Sequence, residues 1–197
     1  MKIYMDWEFL EDGITVQPIS VGMIREDGKE LYYEFLNAPS IDILKREWLK
    51  ENVVPHLSAG WTKAMLTGMS DEVVKSRLAI RNKVYDFLLD AWKLDKLNGF
   101  ELWGWYSAYD HLCLAQLFGK MIDLPDWCPM YTNDVRQEFH RLGDPSYPRQ
   151  TEGLHNALAD AKFLMKRHQW LMNYENDLNS KLSGFQIGNG NIQNNSF

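Results

Sequence analysis

At 197 residues, 45% hydrophobic and with a net charge of −6, the chain is long enough for one globular domain with a sizeable core. Its pI near 5.4 argues against holding nucleic acid by a general basic surface, for which a value above about 9 is usual. The two cysteines, Cys113 and Cys128, stand in no C-x-x-C or Cys/His cluster, which argues against a disulfide scaffold and a zinc module. No apolar run approaches the roughly 20 residues of a membrane span, and no basic-then-apolar leader opens the chain, so a soluble, cytoplasmic protein without a membrane partner is expected.

The first predicted element is the strand "IYMDWEF", Ile3 to Phe9. A period of two sends Asp6 and Glu8 to one face and Met5, Trp7 and Phe9 to the other. "QPISVGMIRE" follows as a second strand and Glu30 to Leu36 as a third, with Asp27-Gly28 as the hairpin turn between them. Short turns make this opening antiparallel. From "APSIDILKREWLKENVVPHL" the period becomes helical, with Ile41, Leu44, Trp48 and Leu49 on one face and Pro55 as the stop. A loop then leads into a helix expected near Ser70 or Asp71, capped by Ser70 and buried through Val74, Leu78, Val84, Phe87, Leu88 and Trp92.

"FELWGWY" reads as a central strand, "AYDHLCLAQLFG" as a helix closed by Gly119, and "PMYTNDV" as a short strand. Helices over about Asp134 to Leu142 and His155 to Met172 complete the core. Hairpins first and alternating strands and helices afterwards predict an α/β fold with a mixed sheet of about five strands flanked by helices. Beyond residue 172 the composition turns to Asn, Gly, Ser and Gln, so residues 173–197 are expected to form a flexible tail on a domain spanning 1–172.

Four acids stand at the ends of these elements: Asp6 and Glu8 on the first strand, Asp110 at the start of the helix after "ELWGWY", and Asp160 in "HNALAD". If the first strand neighbours "ELWGWY", Asp6, Glu8 and Asp110 converge at one edge as a self-repelling cluster. Divalent cations such as Mg²⁺ or Mn²⁺ would resolve that repulsion by favouring the ionised form. Five residues on a helix turn about 500°, so His155 and Asp160 would not share a face. His155 is better placed on the preceding loop or first turn.

These residues resemble a known family. "MDWEF" is similar to the D-x-E first motif of the DEDD 3′–5′ exonucleases, "YSAYD" to the second motif, and "HNALAD" to the H-x-A-x-x-D third motif of the DEDDh subgroup that includes RNase T, oligoribonuclease and proofreading subunits. "DWEFLEDG", "ISVGMI", "ELWGWYSAYDH" and "VRQEF" look like its small bacterial and phage-type exoribonuclease branch. The resemblance implies an RNase H-like fold, hydrolysis of phosphodiester bonds from a free 3′ end and release of nucleoside 5′-monophosphates. It also implies two divalent cations. Asp6 would bridge both, Glu8 and Asp160 would hold the nucleophile-side ion, Asp110 the leaving-group-side ion, and His155 would be the general base. RNA with a single-stranded 3′ end or overhang is the implied partner, and a homodimer is a family habit.

Two departures from the family stand out. Tyr106 replaces an Asn four residues before the second-motif Asp, and Phe9 and Leu10 replace the Thr pair that often follows D-x-E. Phe9 and Leu10 are therefore candidates for stacking on the terminal base, with Tyr106 and Tyr109 as further substrate contacts. Among the basic residues Arg136, Arg141, Arg149, Lys162, Lys166 and Arg167, the first and third attract weight as phosphate contacts because of their place in "DVRQEF" and "DPSYPRQTEG". Trp7, Trp103 and Trp105 are most simply core. Competing readings are a catalytically silent nucleic-acid-binding module, a single-stranded DNA exonuclease and a small-nucleotide phosphohydrolase.

Overall fold

The computed structural model describes residues 1–188, with side chains through residue 183. The chain opens with three antiparallel strands, β1 (Lys2–Glu11), β2 (Val16–Arg25) and β3 (Glu30–Phe35). The turn between β2 and β3 needs its glycine: Gly28 sits at φ 89° and donates its N–H to the Arg25 carbonyl at 2.9 Å. The later strands join in parallel. β4 (Val74–Lys75) lies beside β3, β5 (Glu101–Gly104) beside β1, and β6 (Asn133–Asp134) beside β5, giving the order β4-β3-β2-β1-β5-β6. β1 thus occupies an interior position with an antiparallel neighbour on one side and a parallel one on the other.

Among the described residues seven α-helices flank the sheet: α1 (Ser40–Lys45), α2 (Glu47–Asn52), α3 (Ala59–Thr67), α4 (Arg77–Leu94), α5 (Ala108–Phe118), α6 (Val135–Arg141) and α7 (Ala157–Gly188). The mixed α/β class with an antiparallel opening is as expected, with six strands in place of about five. The extra strand is β4, where a helix start was expected. Asp71 accepts the backbone N–H groups of Val73 and Val74 at 2.8 and 2.7 Å, a turn that hands the β-branched pair to the sheet edge. Val74 is buried there, and Ser76 rather than Ser70 caps α4.

Other departures have equally local causes. The expected single helix from "SIDILKREWLKEN" is broken at Arg46, whose extended backbone (φ −88°, ψ 103°) separates α1 from α2. Ile43 and Leu49 are buried, whereas Ile41, Leu44 and Trp48 face outward. The stretch "AGWTKAMLT" is α3 where a loop is expected; Ser58 caps it by accepting from the Trp61 N–H, and Gly68 ends it at φ 70°. α7 runs past Met172 to Gly188, so residues 173–188 of the expected tail are helical, and 189–197 lie outside the described residues.

The faces of β1 divide as the alternation requires. Ile3, Met5 and Trp7 pack with Val84, Phe87 and Leu88 of α4 and Cys113, Leu114 and Leu117 of α5. On the opposite face, Tyr4 joins Val135 and Phe139 of α6 and Ala161, Leu164 and Leu171 of α7. Leu10 joins a separate cluster with Ile19, Ile43, Leu49 and Trp61. Asp6 and Glu8 fall between these two apolar clusters, on the face that α7 covers. None of the helices among the described residues is long and apolar enough to cross a membrane.

Candidate active site

Asp6 and Glu8 owe their position to β1 and to a gap in β2. Asp6 pairs with Gly22, and a Cβ built on Gly22 would lie 2.2 Å from the Ala157 carbonyl carbon and the Leu158 nitrogen. Only glycine lets the first turn of α7 lie directly on the sheet at this point. That approach brings Asp160, in the same first turn, down onto the two β1 acids. A β-bulge between Glu8 and Phe9, opposite Ser20 and Pro18, shifts the strand register just past the second acid.

Asp110 arrives from the other side, in the first turn of α5. It is 5% exposed and accepts the Trp7 backbone N–H at 3.1 Å, a bond spanning 103 residues that ties α5 to β1 between the two acids. Gly104 permits the sharp entry to α5, because a Cβ there would lie 2.7 Å from the Ser107 Cβ and 3.2 Å from the Asp110 carboxylate. Asp134 holds the turn by accepting the N–H groups of Tyr106, at φ 55°, and Ser107.

His155 lies outside α7, in the left-handed region at φ 61°. Asn156 caps the helix by accepting the Ala159 N–H at 3.1 Å and donates its amide to the His56 carbonyl at 3.3 Å. The imidazole packs edge-on against Trp48, centroids 4.9 Å apart, so the outward face of α2 reaches the site. Ligand atoms of Glu8, His155 and Asp160 come within 4.8 Å of one another.

The electrostatics are those of crowded carboxylates. Burial, then Asp110, Glu8 and Asp160, push Asp6 well above the usual carboxylate range. Burial with Asp160 and Asp110 raises Glu8 to about 8; burial raises Asp110 to about 8 against the Trp7 hydrogen bond. Burial also raises Asp160, opposed by Gln150, which donates to its Oδ1 at 2.7 Å, and by the His155 backbone N–H. Ser20, paired with Glu8 across the sheet, has a buried hydroxyl with no hydrogen-bond partner among the described residues. An oxygen-rich set held so close without counter-charge matches what a hard divalent cation requires. Asp6, Glu8, Asp110, Asp160 and His155 are the residues that could hold one.

Asp6, Glu8, Asp160 and His155 line a cleft of about 490 Å³ together with Trp105, Arg149, Gln150, Phe163 and Arg167, while Asp110 is buried beside them on the Trp7 N–H. Of the further candidates, Arg149 lines this cleft. Leu10 does not: it is 5% exposed in the core, which corrects the expectation of base contact. Phe9 and Tyr109 stack on each other at 5.3 Å outside the cleft lining. Tyr106 is exposed, and Arg136 is engaged by Asp144. Trp105 and Arg167, read as core and solvated face, are cleft residues. Gln150 belongs to no sequence motif, whereas the Gly in "ISVGMI", alone in a β-branched strand, is the sequence sign of the close backbone approach at Gly22.

A mixed α/β sheet whose interior strand and two flanking helix starts gather four acids and a histidine at the edge of one cleft, three of the acids and the histidine lining it, defines a hydrolase-type acidic centre suited to phosphate esters. Residues 1–172 match the family of the 3′–5′ exoribonuclease Rv2179c-like domain, and the chain belongs to that family. It is 34% identical over 170 residues to the 3′–5′ exoribonuclease Rv2179c of Mycobacterium tuberculosis strain ATCC 25618 / H37Rv, covering 85% of this chain and 90% of that one. The 3′–5′ exoribonuclease MT2234.1 of strain CDC 1551 / Oshkosh gives the same figures.

Proposed function

We propose that the chain removes nucleotides one at a time from the free 3′ end of single-stranded RNA or a 3′ overhang, releasing nucleoside 5′-monophosphates. The observation that carries this reading is the meeting of Asp6, Glu8 and Asp160 with His155 in one open cleft, with Asp110 buried beside Asp6, in a chain of an exoribonuclease family. Asp6, Glu8, Asp110 and Asp160 would hold two divalent cations, Mg²⁺ or Mn²⁺, which when bound lower the pKa of a water and offset charge on the attacking and leaving oxygens.

The protein's own part is positional. Asp110 is locked by the Trp7 N–H and Asp160 by Gln150 and the His155 backbone, so the carboxylates meet the phosphate without rearranging. His155 accepts the proton of the attacking water as the P–O bond to the 3′ oxygen of the penultimate nucleotide breaks. Its position outside the helix lets the imidazole swing over the reacting phosphate, and Trp48 limits that swing from the outer side.

The test is a pair of 3′- and 5′-labelled oligomers, RNA and DNA, incubated with wild type and Asp6→Asn in the presence and absence of a chelator. Expected is stepwise shortening from the 3′ end, faster on RNA, abolished by chelation and by the substitution. Internal fragments, or activity indifferent to chelation, would overturn the reading.

A further inference from the structure

Arg167 lies on α7 seven positions beyond Asp160. Seven residues close nearly two helical turns, so both side chains face the same cleft, about 10 Å apart along the helix axis. The guanidinium carbon lies 4.1 Å from the centroid of Trp105, 4.7 Å from Phe163 and 5.8 Å from Tyr147. Its flat faces are thereby packed by rings, and what remains to donate is the in-plane N–H fork.

No acid neutralises this charge among the described residues, and burial holds its pKa below the usual guanidinium value. The contrast with Arg136 is direct. Arg136 lines the adjoining cleft of about 180 Å³ together with Arg167, but its guanidinium is already paired with Asp144. Arg167 stands where the two clefts meet, half-buried and unpaired, in a chain whose net charge is −6. A desolvated fork of this kind calls for an anionic oxygen.

In a strand read from its 3′ end the terminal nucleoside contributes only the reacting phosphate, which belongs at the acids. The next anion along the strand is the phosphate on the 5′ side of the penultimate nucleotide. We propose that Arg167, clamped by Trp105 and Phe163, binds that second phosphate and so makes the enzyme favour substrates with at least two phosphodiester bonds; this rests on the exonuclease reading above. The second cleft then receives the strand as it leaves the acidic centre.

The experiment compares wild type, Arg167→Gln and Arg167→Lys on the p-nitrophenyl ester of uridine 5′-monophosphate and on RNA di-, tri- and hexanucleotides with 5′-hydroxyl ends. For Arg167→Gln, the ratio of kcat/KM on the trinucleotide to that on the dinucleotide is expected to fall about tenfold, chiefly through KM. Arg167→Lys should fall between the two. On the trinucleotide, the slope of log KM against log salt should flatten by about 0.7, as expected when one phosphate contact to a single strand is lost. An equal loss on every substrate would reduce Arg167 to a support of the cleft, and an unchanged ratio would mean that no phosphate sits there. If even wild type cleaves nothing, the exonuclease reading fails by itself. The ratio of tri- to dinucleotide affinity, measured by calorimetry on wild type and Arg167→Gln, then decides the phosphate site separately.

Discussion

Asp6 has three acidic neighbours, Asp110, Glu8 and Asp160, and burial on top of them. An isosteric amide removes one of those charges while keeping the shape. Asp6→Asn should therefore abolish metal-dependent activity and yet melt at a higher temperature than wild type in chelator, because the uncompensated buried charge is gone. Thermal denaturation with and without Mg²⁺ checks both halves: wild type should gain stability on adding the ion and the variant should gain little. His155 asks for a different signature. If it takes the proton, His155→Ala should lose about 10²–10⁴ in kcat while binding Mg²⁺ within a few-fold of wild type. Calorimetry showing lost affinity would instead make it a ligand, as its proximity to Glu8 and Asp160 permits.

Elements carry the site as surely as side chains do. The first turn of α7 rests on β2 because Gly22 has no Cβ, so Gly22→Ala must lift the helix start or bend the sheet. A loss of about 1–3 kcal/mol in stability is expected, as for overpacking generally, with a larger proportional loss of Mg²⁺ affinity because Asp160 moves with the helix. Urea unfolding and calorimetry measure the two separately. That Asp6, Glu8, Asp110, His155 and Asp160 would lie near one another was legible in the sequence, since each belongs to a short local motif at the end of an element. What was not legible depends on neighbours distant in the chain. Val74 became a strand because β3 offered an edge, and Leu10 went to the core because Ile19 and Trp61 were there to receive it. Arg167 could not be separated from the solvated basic residues of α7 until Trp105 and Tyr147 were found beneath it.

At the scale of the whole molecule, two sets of buried groups pull stability in opposite directions with pH. His168, packed on Trp103 and bonded to the Tyr4 hydroxyl at 3.1 Å, is lowered from 6.5 to about 4, chiefly by burial. Between those values the unfolded chain binds a proton that the folded one refuses, so its contribution is whole above pH 6.5 and is lost as pH falls toward 4. Glu8 and Asp110, raised from 4.5 and 3.8 to about 8, act the other way: in chelator the folded chain keeps protons the unfolded one has released, so their contribution is whole below about 4 and is lost as pH rises to about 8. Urea midpoints in chelator should fall as pH rises from about 4.5 to 8, because two carboxylates outweigh one histidine where the windows overlap, and level off above 8. That decline should vanish with Mg²⁺, leaving a rise from pH 4 to 6.5 that weakens in His168→Gln. The interior position of β1 also sets an order of assembly. Its partner β2 is the next strand in the chain, but β5 and the Asp110 bond lie about a hundred residues away, and closing so long a loop is slow. During refolding the hairpin with Asp6 and Glu8 should form first, and the acidic centre should be finished late. Recovered hydrolysis should then lag recovered far-UV ellipticity, which would make activity a sensitive clock for the last step of folding.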